Sequence, residues 1–138
     1  MKVTVDTNVL ISATFWNGDS QRIIELVEDK KLTLVLSEDI LKEYAEVLQS
    51  KEILEKMEKH KLALKHTVLK VVQISTIVYP SKKVFLVQDD PDDNIILECA
   101  LEGEVNYIIS QDKHLLKFKE FERIKILTPK YFLAVFSN

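Results

Sequence analysis

The sequence predicts an α/β fold: three layers, α/β/α, around a central and mainly parallel sheet. Short apolar runs rich in β-branched residues alternate along the chain with stretches of helical periodicity. The run Leu32 to Leu36 alternates too little for a half-solvated strand, so it reads as buried on both faces, which requires helices on each side. The chain has 138 residues, 46% of them hydrophobic, with no internal repeat, low-complexity tract or Pro/Gly/Ser linker, which suits one domain over residues 1–138.

Taken in order, Val3 to Asp6 is a strand that stops abruptly in polar residues. Val9 to Phe15 predicts a short helix, and Asn17-Gly18-Asp19-Ser20 a turn with a cap. From Ser20, the positions Ile23, Ile24, Leu26 and Val27 give a helix that finishes in Glu28-Asp29-Lys30-Lys31. After the strand Leu32 to Leu36, Ser37 is suited to cap a helix whose stripe is Ile40, Leu41, Tyr44, Val47 and Leu48. Glu38 and Asp39 sit in its first turn, where the helix dipole favours acids. One long helix is expected from about Ile53 to about Val72, then a brief extended piece, Ile77 to Tyr79, ended by Pro80. Asp92 or Asp93 opens a helix with Ile96, Cys99 and Ala100 inward and Gly103 closing its C-terminal end. Tyr107 to Ser110 is a strand, Lys113 to Phe118 a short helix, Ile124 to Leu127 a last strand and Lys130 to Phe136 a final helix.

Composition removes several function classes. No apolar run approaches the roughly 20 residues needed to cross a bilayer, and MKVTVDTN lacks the features of a secretory signal. Cys99 is the only cysteine, which excludes a disulfide framework and a thiolate metal site within one chain. A cytoplasmic protein is expected. The net charge of −3 argues against passive nucleic-acid binding by a basic surface. It argues less against a nuclease, where metal ions bring positive charge to the scissile phosphate.

In a parallel sheet, ligands gather at the carboxyl ends of the strands, and acids stand at those ends here. Asp6 ends the first strand and Glu43 follows the second, flanking the buried face of its helix. The segment Asp89-Asp90-Pro91-Asp92-Asp93 opens the helix before the strand that leads to Asp112. Mg²⁺ and Mn²⁺ prefer hard oxygen ligands, and carboxylates from separate segments leave positions free for water and phosphate. Such ions can activate a water and stabilise the leaving oxygen of a phosphodiester. Without a cation, carboxylates so close together repel strongly.

The start VDTNVLIS, the S-x-x-x-x-x-E of Ser37 to Glu43, DDNIILECA (Asp92 to Ala100) and IISQDKHLL (Ile108 to Leu116) together resemble a PIN domain. The resemblance runs from residue 3 to the TPKYFL near the end, and is closest to the VapC-like proteins described as toxin components of toxin–antitoxin pairs. It implies a PIN-like fold and Mg²⁺- or Mn²⁺-dependent hydrolysis of single-stranded RNA, commonly by a homodimer with an antitoxin partner. The family's four acids fall on Asp6, Glu43, Asp93 and Asp112, with Asn8 and Ser110 at supporting polar positions. Asp90 and Asp92 crowd the third acid; the spacing to Ala100 selects Asp93, leaving Asp90 or Asp92 to assist as an outer ligand, with Asp92 also suited to cap the helix.

Each acid also has a plainer role. Asp6 suits a strand-end turn, Asp112 a cap for the helix at Lys113, and Glu43 a solvated helix position. Ser110 reads as a hydrogen-bonding support, since nothing in the sequence gives it a partnered base. His60 and His66 are expected at the surface; His114, beside Asp112, suits either a phosphate contact or none. Lys82-Lys83 and Lys113, Lys117 and Lys119 would serve equally as margins for an RNA backbone or as a solvated face. Phe15 and Trp16 are expected in the core, with stacking on a base or cover for a partner as the alternative, and Tyr131, Phe132 and Phe136 in the packing of the last helix or a dimer contact. Two further functions compete with the nuclease: a non-catalytic scaffold that binds RNA or protein, and an aspartate-nucleophile phosphatase. The latter wants a second aspartate two residues after the first, where this chain has Asn8.

Overall fold

The structure is a computed structural model that describes residues 1–88 and 90–137. Its six-stranded sheet comprises β1 (Lys2–Val5), β2 (Thr33–Ser37), β3 (Ser75–Val78), β4 (Tyr107–Ile109), β5 (Glu120–Phe121) and β6 (Ile124–Leu127), in the order β3-β2-β1-β4-β6-β5. All pairs are parallel except β5 with β6. The helices among the described residues are α1 (Thr7–Phe15), α2 (Asp19–Glu28), α3 (Glu38–Leu48), α4 (Lys51–Lys59), α5 (Leu64–Ile74), α6 (Asp92–Gly103), α7 (Lys113–Leu116) and α8 (Pro129–Ser137).

Both sheet faces are covered, as the lack of alternation in β2 requires. Val3 and Val5 point to one face and Thr4 to the other, yet all three are fully buried. Thr4 lies beside the Cys99 thiol of α6, and Val35, on the same face, meets Gly103 of that helix. Across the sheet, α8 lays Phe132 edge-on against Tyr107, the register neighbour of Val3. Each fully buried aliphatic side chain here contributes about 1.5–3 kcal/mol of transfer free energy.

Four expectations are corrected. The long helix is two helices, α4 and α5, because the chain turns at His60 and Lys61, where Lys61 adopts a left-handed φ of 56°. Gly103 is not the left-handed residue that closes α6; Glu104 is, at φ 50°. Gly103 is needed for packing instead, since a Cβ there would lie 2.5 Å from Val35 Cγ1. Phe15 is buried but Trp16 is 49% exposed, its ring covered by Lys56 Nζ at 4.0 Å from the centroid. The hairpin strand β5 has no counterpart in the sequence reading, because its turn residues Glu122 and Arg123 both take positive φ without a glycine or asparagine to signal it.

The final helix divides the aromatic trio. Phe132 is buried between Tyr107 and Phe136, whereas Tyr131 is exposed.

Candidate metal centre

The carboxyl ends of β1 and β4 lie side by side, joined by Asp6 N–H donating to Ile109 O (3.2 Å). This adjacency brings Asp6 and the chain after β4 together. Asp6 is the N-cap of α1: its Oδ1 accepts from Val9 N–H at 2.9 Å. Its Oδ2 accepts from the Ser110 hydroxyl, and that same Oγ accepts from Asp112 N–H at 2.9 Å. Buried Ser110 therefore ties Asp6 to Asp112. Asp112 caps α7, accepting from His114 N–H at 2.8 Å. The capping role read from the sequence for Asp112 is present, Asp6 caps a helix where a strand-end turn was the plainer reading, and both side chains still line the pocket.

Asp93 sits in the first turn of α6, only 7% exposed. One of its carboxylate oxygens, Oδ2, is buried with no hydrogen-bond partner, a costly state for an acceptor unless something else satisfies it. Asp6, Thr7, Asn8, Glu43, Asp90, Asp92, Asp93 and Asp112 line one small cavity of about 80 Å³ with an apolar floor that includes Ile40 and Ile96. Single ligand atoms of three of these acids, Asp90, Asp93 and Asp112, and of the neighbouring exposed His114 lie within 4.8 Å of one another. Asp6 and Glu43 line the same cavity outside that tight set. Asn8 and Lys113 are exposed at the margin. Asp89 lies outside the described residues.

The expected capping by Asp92 is not found. Pro91 is the N-cap position and offers no side-chain acceptor, while Asp90 Oδ1 accepts from Asp92 N–H at 3.2 Å. Asp92 instead stands exposed in the first turn, where the helix dipole favours its charge. One contributor was not singled out in advance, and one was left open. Thr7 lines the same cavity as Glu43, and His114, which the sequence left between a phosphate contact and none, brings Nδ1 to 3.5 Å from Asp112 Oδ1. Thr7 had a signal, standing in the DTN run directly after Asp6.

The electrostatics follow from burial and like charge. Asp93 is pushed up to about 8, by desolvation first, then by the closeness of the Asp112 carboxylate and by the charges of Asp112, Asp90 and Asp6. Asp6 is raised by burial, against the hydrogen bonds from Ser110 and Val9. Glu43, half-buried, is raised by desolvation and by Asp92, Asp6 and Asp90, against the Thr7 hydrogen bond. Three carboxylates with one imidazole at their edge, crowded, partly stripped of water and including an orphaned carboxylate oxygen, form a donor set that suits a divalent cation.

The PIN domain family profile matches residues 2–114, which spans all of these acids. The chain belongs to the PIN domain family. Among solved structures, this PIN domain is similar to a chain in the crystal structure of VapBC2 from Rickettsia felis bound to a DNA fragment from their promoter. The TM-score is 0.61 at 14% identity, over 91% of this chain and 97% of that one, a likeness of fold. No curated protein matches the sequence. Among the described residues, no helix of this PIN domain is long and apolar enough to cross a membrane.

Proposed function

We propose that this PIN domain is a Mg²⁺- or Mn²⁺-dependent endoribonuclease that hydrolyses phosphodiester bonds of single-stranded RNA. The observation that carries the reading is the partnerless Oδ2 of Asp93, buried in the wall of a cavity lined by other carboxylates. Asp93 and Asp112, with Asp6 behind them, would hold the ion, and Asp90 would add an outer ligand. A bound divalent ion supplies Lewis-acid polarisation of the phosphate and a water acidic enough to attack near neutral pH.

The chain's own residues do the rest. Ser110 donates to Asp6 and accepts from the Asp112 backbone, fixing the two acids relative to each other. Glu43, raised above the usual carboxylate range, is suited to accept a proton from the attacking water. Ile40 and Ile96 limit water on the floor of the cavity, which strengthens each charge interaction within it. Lys113, exposed beside Asp112, is placed to meet a phosphate oxygen.

Membership of the family and the fold shared with a VapBC2 chain support work as the toxin of a toxin–antitoxin pair, in the cytoplasm, as a homodimer. The test is cleavage of single-stranded RNA by purified protein with Mn²⁺, with chelator, and by Asp6→Asn. Asparagine still caps α1, so the variant should fold. Its activity should fall at least by the ~10- to 100-fold that loss of a partner around a metal costs. Metal-independent cleavage, or full activity in Asp6→Asn, would reject the mechanism.

A further inference from the structure

Among the described residues between β3 and α6 there is no helix or strand, yet the segment of residues 81–87 is fastened at regular intervals. Three side chains of α6, one turn apart, hold it. Glu102 Oε1 accepts from Ser81 N–H at 2.9 Å and Ser81 Oγ–H at 3.1 Å, and Glu98 Oε2 accepts from Val84 N–H at 3.0 Å. Asn94 closes the ladder with two bonds to Val87: its Oδ1 accepts from the N–H and its Nδ2 donates to the carbonyl, both at 2.9 Å. The helix steps by four residues and the strap by three, the repeat of a polyproline II-like segment.

The ladder sorts the strap's side chains. Val84 and Val87 turn towards the helix, and Val87 is buried. Lys82, Lys83, Phe85 and Leu86 are left facing outward, with Phe85 81% exposed, and Tyr79 at the head of the strap is 69% exposed. Lys83 keeps most of its side chain in water, its Nζ 4.0 Å from Glu98. A large aromatic held out on a fastened backbone costs stability in water and gains nothing from the core. Aromatic faces interleaved with lysines are the elements that bind single strands: bases stack, and ammonium groups follow the phosphates.

We propose that the strap, residues 79–88, is the track that delivers single-stranded RNA to the acidic cavity. Phe85 and Tyr79 stack bases, and Lys82 and Lys83 engage the backbone. The strap leads directly to Asp90, which lines that cavity. Phe85 is five residues from Asp90, at most ~18 Å of chain, or about five stacked nucleotides at roughly 3.4 Å each. A polyanion approaching a cluster of carboxylates needs cations beside it, and the strap supplies them on a protein of net charge −3. The inference rests on the nuclease reading above, and its test separates the two.

The experiment measures binding of a fluorescein-labelled, unstructured single-stranded RNA to the full chain in Ca²⁺ by anisotropy, and cleavage of the same RNA in Mn²⁺. Phe85→Ala should weaken binding by about 5- to 100-fold, the span of one base–aromatic stack, while Phe85→Tyr, which keeps a stacking face, retains it. Replacing both Lys82 and Lys83 with Ala should lower the salt dependence of log Kd by about 1.4, roughly 0.7 per phosphate contact. Photocrosslinking of 4-thiouridine RNA should label the peptide containing residues 79–88. If the wild type cleaves RNA but Phe85→Ala and the double lysine variant bind it like the wild type, the track is overturned and the nuclease stands. If the wild type cleaves no RNA in Mn²⁺, both fall. If Phe85→Ala dissociates a dimer in sedimentation and leaves RNA affinity intact, the strap is a protein contact and the track is rejected.

Discussion

Asp93 pays for its position in protons. Its folded-state value of about 8 lies above the ordinary 3.8 of the unfolded chain, so the folded, metal-free protein binds a proton more tightly than the unfolded one. The contribution of Asp93 to metal-free stability is therefore fully present below about pH 4 and is lost as pH rises towards 8. A divalent ion must displace that proton, so its affinity rises over the same range. Thermal melts at several pH values, with chelator and with Mn²⁺, should diverge as pH increases. A melting temperature that climbs with pH in chelator would contradict the account. Asp93→Asn removes the buried charge and should flatten the metal-free decline. The same substitution should abolish the Mn²⁺ response.

Helix α6 carries more of the design than any other element. One face meets the sheet, its first turn presents Asp93 to the cavity, and Asn94, Glu98 and Glu102 hold the strap. Gly103→Ala would ordinarily gain about 1 kcal/mol in an exposed helix. Here the added methyl meets Val35 at 2.5 Å, so the substitution should cost about 1–3 kcal/mol in urea denaturation. Adding Val35→Ala to it should recover part of that loss, which a purely conformational effect would not allow. Asn94→Ala strips both backbone partners from buried Val87 and should cost about 1–3 kcal/mol. It should also weaken Mn²⁺ binding, measured by calorimetry, because the freed strap no longer holds Asp90 in place.

At the scale of the whole molecule, the parallel order of β2, β1, β4 and β6 gathers the acids at one edge of the sheet, and repulsion there is balanced by the apolar layers on both sides. A ligand that binds only the folded state stabilises it by mass action, about 2.7 kcal/mol at a hundredfold excess over Kd. Mn²⁺ should accordingly raise the wild-type melting temperature by several degrees, reversibly with chelator. Absence of any shift at millimolar Mn²⁺ would favour the non-catalytic scaffold over the nuclease.

Read alone, the sequence was sufficient for the α/β class, most strand positions, the caps at Ser37 and Asp112, and the acids that line the cavity. Those features are local: an apolar run with its period, an Asx or serine before a helix, an acid at a strand end. The break at Lys61, the Glu104 cap and the Glu122–Arg123 hairpin were hidden for a local reason too. Each uses a positive φ in a residue that rarely adopts it, while neither glycine occupies that region. Only the tertiary structure decided which acids crowd closest, since that depends on the β1–β4 pairing and on Ser110 bridging two segments about a hundred residues apart. It also decided that Asp90 and His114 stand in the tight set with Asp93 and Asp112, and that Asp92 does not cap its helix. The strap of residues 79–88 is the clearest case. Its sequence carries no period of its own, because its conformation is imposed by carbonyl and carboxylate acceptors on a helix that follows it in the chain.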